Sequence, residues 1–314
     1  MGTSVIAIEI GGTKLQVVRG TPNGVILDRR RFSVDPEAGA EGIRRHIATA
    51  VPELLGAGEV AAIGVGFGGP VDFQTGSIAC SHQVKGWSGF AMADWLKGLS
   101  GLPVAVDNDA NVATLGEAIM GAGRGANPVF YVTLGSGVGG GLVVNGAIYH
   151  GQKPGESEIG HLRLDRTGTI VEQRCSGWAT DRKVRAAITQ DPTGLLARLA
   201  AGHSRGEARF LGEALSQQDA AAVGILNETA GDLALALSHV THLFHPEVIV
   251  LGGGLSLLGA PLRDAVAAAL PGFVMEAFHP GPRVTLAGLA EDAVPVGGLL
   301  LAAGLVKPRA SLSL

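Results

Sequence analysis

Two cysteines in 314 residues, Cys80 and Cys175, have no metal-binding spacing and can close one bridge at most. A reducing compartment follows, and with no cleavable signal at the N-terminus a cytoplasmic protein is expected. An excess of one charge is lacking too: 24 Lys and Arg face 28 Asp and Glu, for a net charge of −4. The basic footprint of a nucleic-acid binder is therefore missing, and Arg29–Arg31 reads as the solvated face of a strand. No apolar run reaches about 18 residues without a charge or a glycine break, so no membrane partner is expected. Missing as well are a GxxxxGK[ST] phosphate loop and a GxGxxG opening a helix after a strand.

Glycine, by contrast, is plentiful. It supplies 49 of 314 residues, roughly twice the average usage of about 7%. The glycines cluster at 11–12, 64–69, 135–141 and 252–254, between apolar runs and without a collagen-like period. Clusters at strand ends serve tight turns or the close approach of backbone to a ligand. The stretch AIEIGGTKLQVVRG (7–20) shows both readings at once, since a hairpin and a phosphate turn each ask for a Gly-Gly-Thr connection.

Along the chain, Ser4–Ile10 and Leu15–Arg19 read as a hairpin and Gly24–Ser33 as a third strand. Helical spacing of Ile43, Ile47, Val51 and Leu54 follows, then a buried strand over Val60–Val65. A short helix over Phe90–Leu99, a strand over Pro103–Val106 and a helix over Asn111–Met120 complete the first part. From Asn127 the opening pattern returns as VFYVTLGSGVGGGLVVNG, a strand, a glycine turn with a hydroxyl residue, and a second strand. Two such units over one chain suggest a duplicated α/β fold with a ligand between its halves. A long helix over Ala220–Phe244, the strand and turn VIVLGGGLS, and an apolar helix near Val294–Gly304 that packs back on the first part follow.

Three constellations carry chemistry. The turns GGT (11–13), GSGVGGG (135–141) and GGG (252–254) each follow a buried strand and offer backbone N–H groups to an anion, with hydroxyls from Thr13 and Ser136. VDNDAN (106–111) places Asp107, Asn108 and Asp109 where a strand ends and a helix begins. One of them suffices to cap the helix, and a carboxylate there is also placed to take a proton from a hydroxyl nucleophile. GESEIGH (155–161) carries Glu156, Glu158 and His161. Glu158 and His161 stand three residues apart, a spacing for a structural hydrogen bond as much as for ligation. His242 and His245 share that spacing but flank apolar positions, which suits a core or helix-end role.

Taken in order, these segments resemble the ROK family of sugar kinases and sugar-responsive repressors, within the actin/hexokinase superfamily. The resemblance spans essentially the whole chain: IEIGGTK, GVGFGGPVD (64–72), KGWSGF (85–90), DNDANVATLGEA (107–118), LGSGVGGGLVVNG (134–146), GESEIGH and HPEVIVLGGGLS (245–256). It implies an α/β, two-lobed actin/hexokinase-like fold, a duplicated ribonuclease H-like unit, with ATP and sugar in the cleft between lobes. The lobes are expected at 1–112, completed by a C-terminal helix near 294–314, and at 113–293. The implied activity is glucokinase-like phosphorylation of a hexose 6-OH by ATP. Asp109 is the implied base, and Gly68, Gly69, Asn108, Glu158, His161 and Glu172 bind sugar. Glu9, Gly11, Gly12, Thr13, Lys14, Gly135, Ser136, Gly137, Gly253 and Gly254 serve the nucleotide, with Glu9 holding Mg²⁺ through water. A homodimer is expected.

Two departures stand out. Most members carry Asp where this chain has Glu9, which keeps the charge and adds a methylene. The usual zinc pattern CxCGxxGC is replaced by LDRTGTIVEQRCSG (164–177), where alignment on VEQRCSG leaves no cysteine at a zinc position. No zinc is therefore expected, and His161 loses the metal that normally orients it. Repressors of the family carry a helix-turn-helix ahead of the first strand; with that strand expected at Ser4, none is expected here. A sugar-binding member without turnover is the alternative. Fructose, mannose, allose and N-acetylated hexosamines stay open beside glucose, and polyphosphate beside ATP.

Overall fold

The apolar run at the start of the chain becomes β1 (Ser4–Ile10), hydrogen-bonded on both sides and buried on both faces. That is why it reads as continuous rather than alternating hydrophobicity. The computed structural model describes residues 3–81, 84–153, 155, 157–203 and 205–306. Two units divide the chain: Met1–Gly125, Gly141–Ser157 and Glu291–Leu314 form one, and Ala126–Gly140 with Glu158–Ala290 the other.

In the first unit β1 pairs antiparallel with β2 (Lys14–Gly20), which pairs with β3 (Ile26–Ser33). On its other side β1 runs parallel to β4 (Val60–Phe67), and β4 to a later strand, Val104–Asn108. Three short strands, β5 (Val71–Asp72), β6 (Ser77–Ile78) and β7 (Phe90–Ala91), form a small antiparallel sheet, so Val104–Asn108 is β8 and the main order is β3-β2-β1-β4-β8. Strand period 2 sends Ile6, Ile8 and Ile10 to one face, where α1 (Gly39–Leu55) and α2 (Met92–Ser100) pack. It sends Val5 and Ala7 to the other, against Leu299 and Ala302 of the last helix, Ala293–Val306. A Cβ on Gly64 would overlap the Gly298 carbonyl, and one on Gly297 the Val112 carbonyl, so glycine lets this helix lie backbone to backbone on its neighbours. The helix expected from Phe90 starts at Met92, because Phe90 and Ala91 pair with Ile78 and Ser77 as a strand. α3 (Asp109–Ile119) contains residue 112, so the expected boundary falls inside a helix.

The second sheet has the order β11-β10-β9-β12-β13, from β9 (Val129–Leu134), β10 (Val138–Val144), β11 (Ala147–Ile148), β12 (Val248–Gly252) and β13 (Arg283–Leu286). β12 runs parallel to β9 and to β13, as β4 does to β1 and β8. The same succession in both sheets is the duplication expected from the two strand–turn–strand units. In the second unit α4 (Val171–Cys175), α5 (Gly177–Gln190), α6 (Leu195–Leu199), α7 (Leu211–Ser216), α8 (Ala220–Phe244) and α9 (Ala260–Ala269) precede the last helix, α10. α8, at 25 residues, is long and apolar enough to cross a membrane, but half of its most apolar stretch is buried in the fold. Its Glu228 and Asp232 both pair with Arg174. His245 caps α8 at φ +46°, and His242 accepts a hydrogen bond from Met275 N–H, which gives both the helix-end role expected.

Candidate active site

In the first unit the ends of β4 and β8 and the start of α3 gather four expected residues: Gly68, Gly69, Asn108 and Asp109. Asn108 is the helix cap, its Oδ1 accepting from Ala110 N at 2.8 Å and Asn111 N at 3.3 Å. Its Nδ2 donates to the Gly69 carbonyl at 3.2 Å, tying the helix start to the strand end beside it. Asp109 is the first helical residue, where the helix dipole favours an anion. Its Oδ1 accepts from Ala110 N at 2.8 Å, and its Oδ2 lies 3.4 Å from where a Gly68 Cβ would be. A side chain at 68 would therefore crowd the carboxylate.

Asp107 is not a cap. It is buried at the end of β8 and accepts from Asn108 N at 2.8 Å and Asn111 Nδ2 at 2.9 Å. His150 Nε2 lies 2.6 Å from its other oxygen, and the imidazole stacks on Phe73 at 3.7 Å. Asn111 Nδ2 also donates to the Gly155 carbonyl at 3.1 Å. These bonds leave the backbone of 107–111 little freedom, which is the preorganisation a base at 109 needs.

Also in the first unit, the β1–β2 turn closes through Gly11 N donating to the Lys14 carbonyl at 2.9 Å. Glu9 lies between Lys14 Nζ at 3.2 Å and Gln16 Nε2 at 2.7 Å, and burial pushes its carboxyl above the usual range against the pull of Lys14. A hard carboxylate at such a turn fits Mg²⁺, which one or two carboxylates plus phosphates commonly hold. Among the described residues no three His, Cys, Asp or Glu side chains converge as a metal cluster.

In the second unit the turn between β9 and β10 is Gly135–Ser136–Gly137. Gly135 N donates to the Gly137 carbonyl at 3.0 Å, and Gly177 N, at the start of α5, donates to the Gly135 carbonyl at 2.7 Å. Glu172 Oε2 accepts from Val138 N at 3.0 Å, and a Cβ on Gly137 would come within 2.5 Å of that oxygen. Glu172, expected to bind sugar, thus braces a glycine turn expected to bind nucleotide. Gly253 has φ +79° and its Cβ would lie 2.6 Å from the Leu134 backbone, so only glycine brings the β12 exit this close to β9. A cavity of about 530 Å³ opens beside these turns, lined by Gly135, Ser136, Gly177, Trp178, Gly254 and Leu257 among others. Its size is that of small-molecule sites. Gly135, Ser136 and Gly254 line it, whereas Gly137 and Gly253 shape the turns behind it.

Glu158 and His161 are exposed at a single 3-10 turn, with His161 N donating to the Glu158 carbonyl at 3.0 Å. Glu156 lies outside the described residues, as do 307–314 of the expected C-terminal helix. Where the family pattern places cysteines, Asp165 Oδ1 instead accepts from Thr167 N, Gly168 N and Thr169 N, and from the Thr167 hydroxyl. Those bonds hold its carboxyl well below the usual range. Cys175 is buried with Sγ 3.7 Å from the Thr229 carbonyl, and burial pushes its thiol up to about 12. Trp178, Asp181, Arg209 and Leu257 escaped the sequence reading, because residues of one cavity wall drawn from three separate segments leave no periodic signal.

The topology and the paired glycine turns are those of the actin/hexokinase-like fold. The ROK family matches residues 5–304. A glucokinase of Thermotoga maritima is 31% identical over 97% of this chain and 98% of its own length. One from Halalkalibacterium halodurans is 32% identical over 93% of each. The crystal structure of a ROK family glucokinase from Streptomyces griseus, in complex with glucose and AMPPNP, superposes with a TM-score of 0.82 at 30% identity, covering 96% of this chain and 99% of that one. The chain belongs to the ROK family.

Proposed function

We propose that the protein is a sugar kinase that moves the γ-phosphoryl group of ATP to the 6-OH of a hexose, with glucose the first candidate. Glucokinases alike over nearly the whole chain support sugar kinase activity. The observation that carries the reading is Asp109. Its carboxylate is held at a helix start by Ala110 N, beside the end of β4, where a Cβ on Gly68 would lie 3.4 Å from Oδ2.

In this reading Asp109 takes the proton of the 6-OH as that oxygen bonds to the γ-phosphorus and the bond to the β-phosphate oxygen breaks, giving sugar 6-phosphate and ADP. Little covalent work is left to the protein, so positioning and charge neutralisation carry the catalysis. Gly68, Gly69, Asn108, Glu158, His161 and Glu172 serve the sugar; Gly11–Lys14, Gly135–Gly137, Gly253 and Gly254 serve the nucleotide. Glu9 would hold Mg²⁺ through water, and the ion would neutralise charge on the phosphates.

A coupled ADP-release screen with Mg²⁺ against hexoses and N-acetylated hexosamines tests the proposal. Sugar-dependent ADP release from at least one hexose is expected. Silence across the panel, with thermal shifts from some of the sugars, would establish the binding protein without turnover instead.

A further inference from the structure

The sheet face that α10 covers is apolar at Val5, Ala7 and Val18, and it changes character one pair of residues further along. Strand register sets Glu9 opposite Gln16 and Gln16 opposite Arg31, so three polar side chains form a row across β1, β2 and β3 on that face. Gln16 is fully buried. An amide buried there costs free energy that a valine such as Val18 does not, unless its hydrogen bonds are made. They are made: Oε1 accepts from Arg29 Nη1 at 2.9 Å and Arg31 Nε at 2.8 Å, and Nε2 donates to Glu9 Oε2 at 2.7 Å.

Two guanidiniums on one oxygen fix which way the amide faces. Both lone pairs of Oε1 are taken, so the nitrogen has to point at Glu9. The guanidiniums are themselves anchored just ahead of α10, Arg29 on Asp292 at 2.7 Å and Arg31 on Glu291 at 3.4 Å. Positive charge behind the amide strengthens the bond it donates, because hydrogen bonds in a chain polarise one another. The other Glu9 oxygen, Oε1, faces Lys14 Nζ at 3.2 Å, and that side chain is 34% exposed. Glu9 thus has a fixed side on Gln16 and an exchangeable side on Lys14.

We propose that Gln16 is a positioning residue for the metal: it holds Glu9 Oε2, with Arg29 and Arg31 fixing Gln16 in turn, and leaves Oε1 for the water shell of Mg²⁺. The inference rests on the reading of Glu9 as the acid that serves Mg²⁺. It also gives the longer side chain at 9 a partner. A glutamate has one more rotatable bond than an aspartate, and the grip of Gln16 removes that freedom.

Calorimetric titration with ADP, in Mg²⁺ and in EDTA, tests it without turnover. Gln16→Glu keeps an oxygen for Arg29 and Arg31 but sets an acceptor in front of Glu9. Its metal-free ADP affinity is expected to match the wild type. Its Mg²⁺-linked gain in ADP affinity should fall about 10–100-fold, the usual loss when a partner of a metal-serving side chain is removed. Gln16→Met fills the same space without the amide and should show the same loss of Mg²⁺ response, but with a lower melting temperature, since two guanidiniums lose their acceptor. Glu9→Gln should lose the Mg²⁺ response as well. If both Gln16 variants keep the full response while Glu9→Gln loses it, the proposal is overturned and Glu9 stands as the metal acid. ADP affinity weakened equally with and without metal overturns it too, because that is the mark of a purely structural bond. A full response in Glu9→Gln overturns the reading of Glu9 beneath it.

Discussion

The segment 107–111 and the turn 135–137 are built from opposite materials. At 107–111 side chains do the work: Asp107, Asn108 and Asn111 bind backbone and one another, and His150 closes the network. At 135–137 the backbone does the work, and side chains are kept small so that carbonyls and amides can meet Gly177 and Glu172. A side-chain site fails when a functional group is removed, whereas a backbone site fails when an atom is added.

That contrast can be broken by substitution. The largest effect is expected from Asp109→Asn, whose amide oxygen can still accept from Ala110 N. Loss of a general base costs about 10²–10⁴-fold in kcat, with sugar affinity held within about tenfold, as read by ADP release and calorimetry. Most of the turnover surviving would remove Asp109 as the base. Next comes an added methyl: Gly253→Ala forces a Cβ against the Leu134 backbone at positive φ, at a cost of about 1–3 kcal/mol, measurable by denaturant unfolding. Asn108→Ala removes a cap worth about 1 kcal/mol and the bond to Gly69. Asn108→Asp should restore the stability but not the Gly69 contact, so a sugar-affinity defect that persists in the Asp variant locates the contact rather than the cap.

Cys175 gives a smaller effect. Burial keeps its thiol protonated in the fold up to about 12, against an ordinary 9.0. The unfolded chain loses this proton first as pH rises, so the thiol's contribution to stability falls between those two values. Cys175→Ala should flatten that part of the profile in urea unfolding at stepped pH. No loss of stability is expected from removing zinc: metal analysis should find no stoichiometric zinc, and one zinc per chain would overturn the alignment of 164–177.

Much of this was legible in the sequence because apolar periodicity is local. Ile43, Ile47, Val51 and Leu54 announced α1, and the continuous apolar run in Ser4–Ile10 announced a strand with two covered faces. VDNDAN announced the end of a strand and the start of a helix. What distance in the chain conceals was not legible: Asp107 meets His150, 43 residues on, and Glu172 meets Val138, 34 residues back. Nothing in DNDAN told which acid is buried and which is offered. Trp178 was hidden for a related reason, since an exposed aromatic outside any apolar stripe carries no signal until its cavity is seen.

The helix α10 has a consequence for synthesis. It covers the face of Val5, Ala7, Val18 and Ala62, yet it is made only after the whole second unit. At about 5–20 residues per second, a ribosome leaves that face bare for roughly ten seconds or more. The unit that begins first is finished last, so during synthesis the chain carries an uncovered apolar sheet face. Slowing translation near the end of the message should lower the soluble yield more than slowing it near the start.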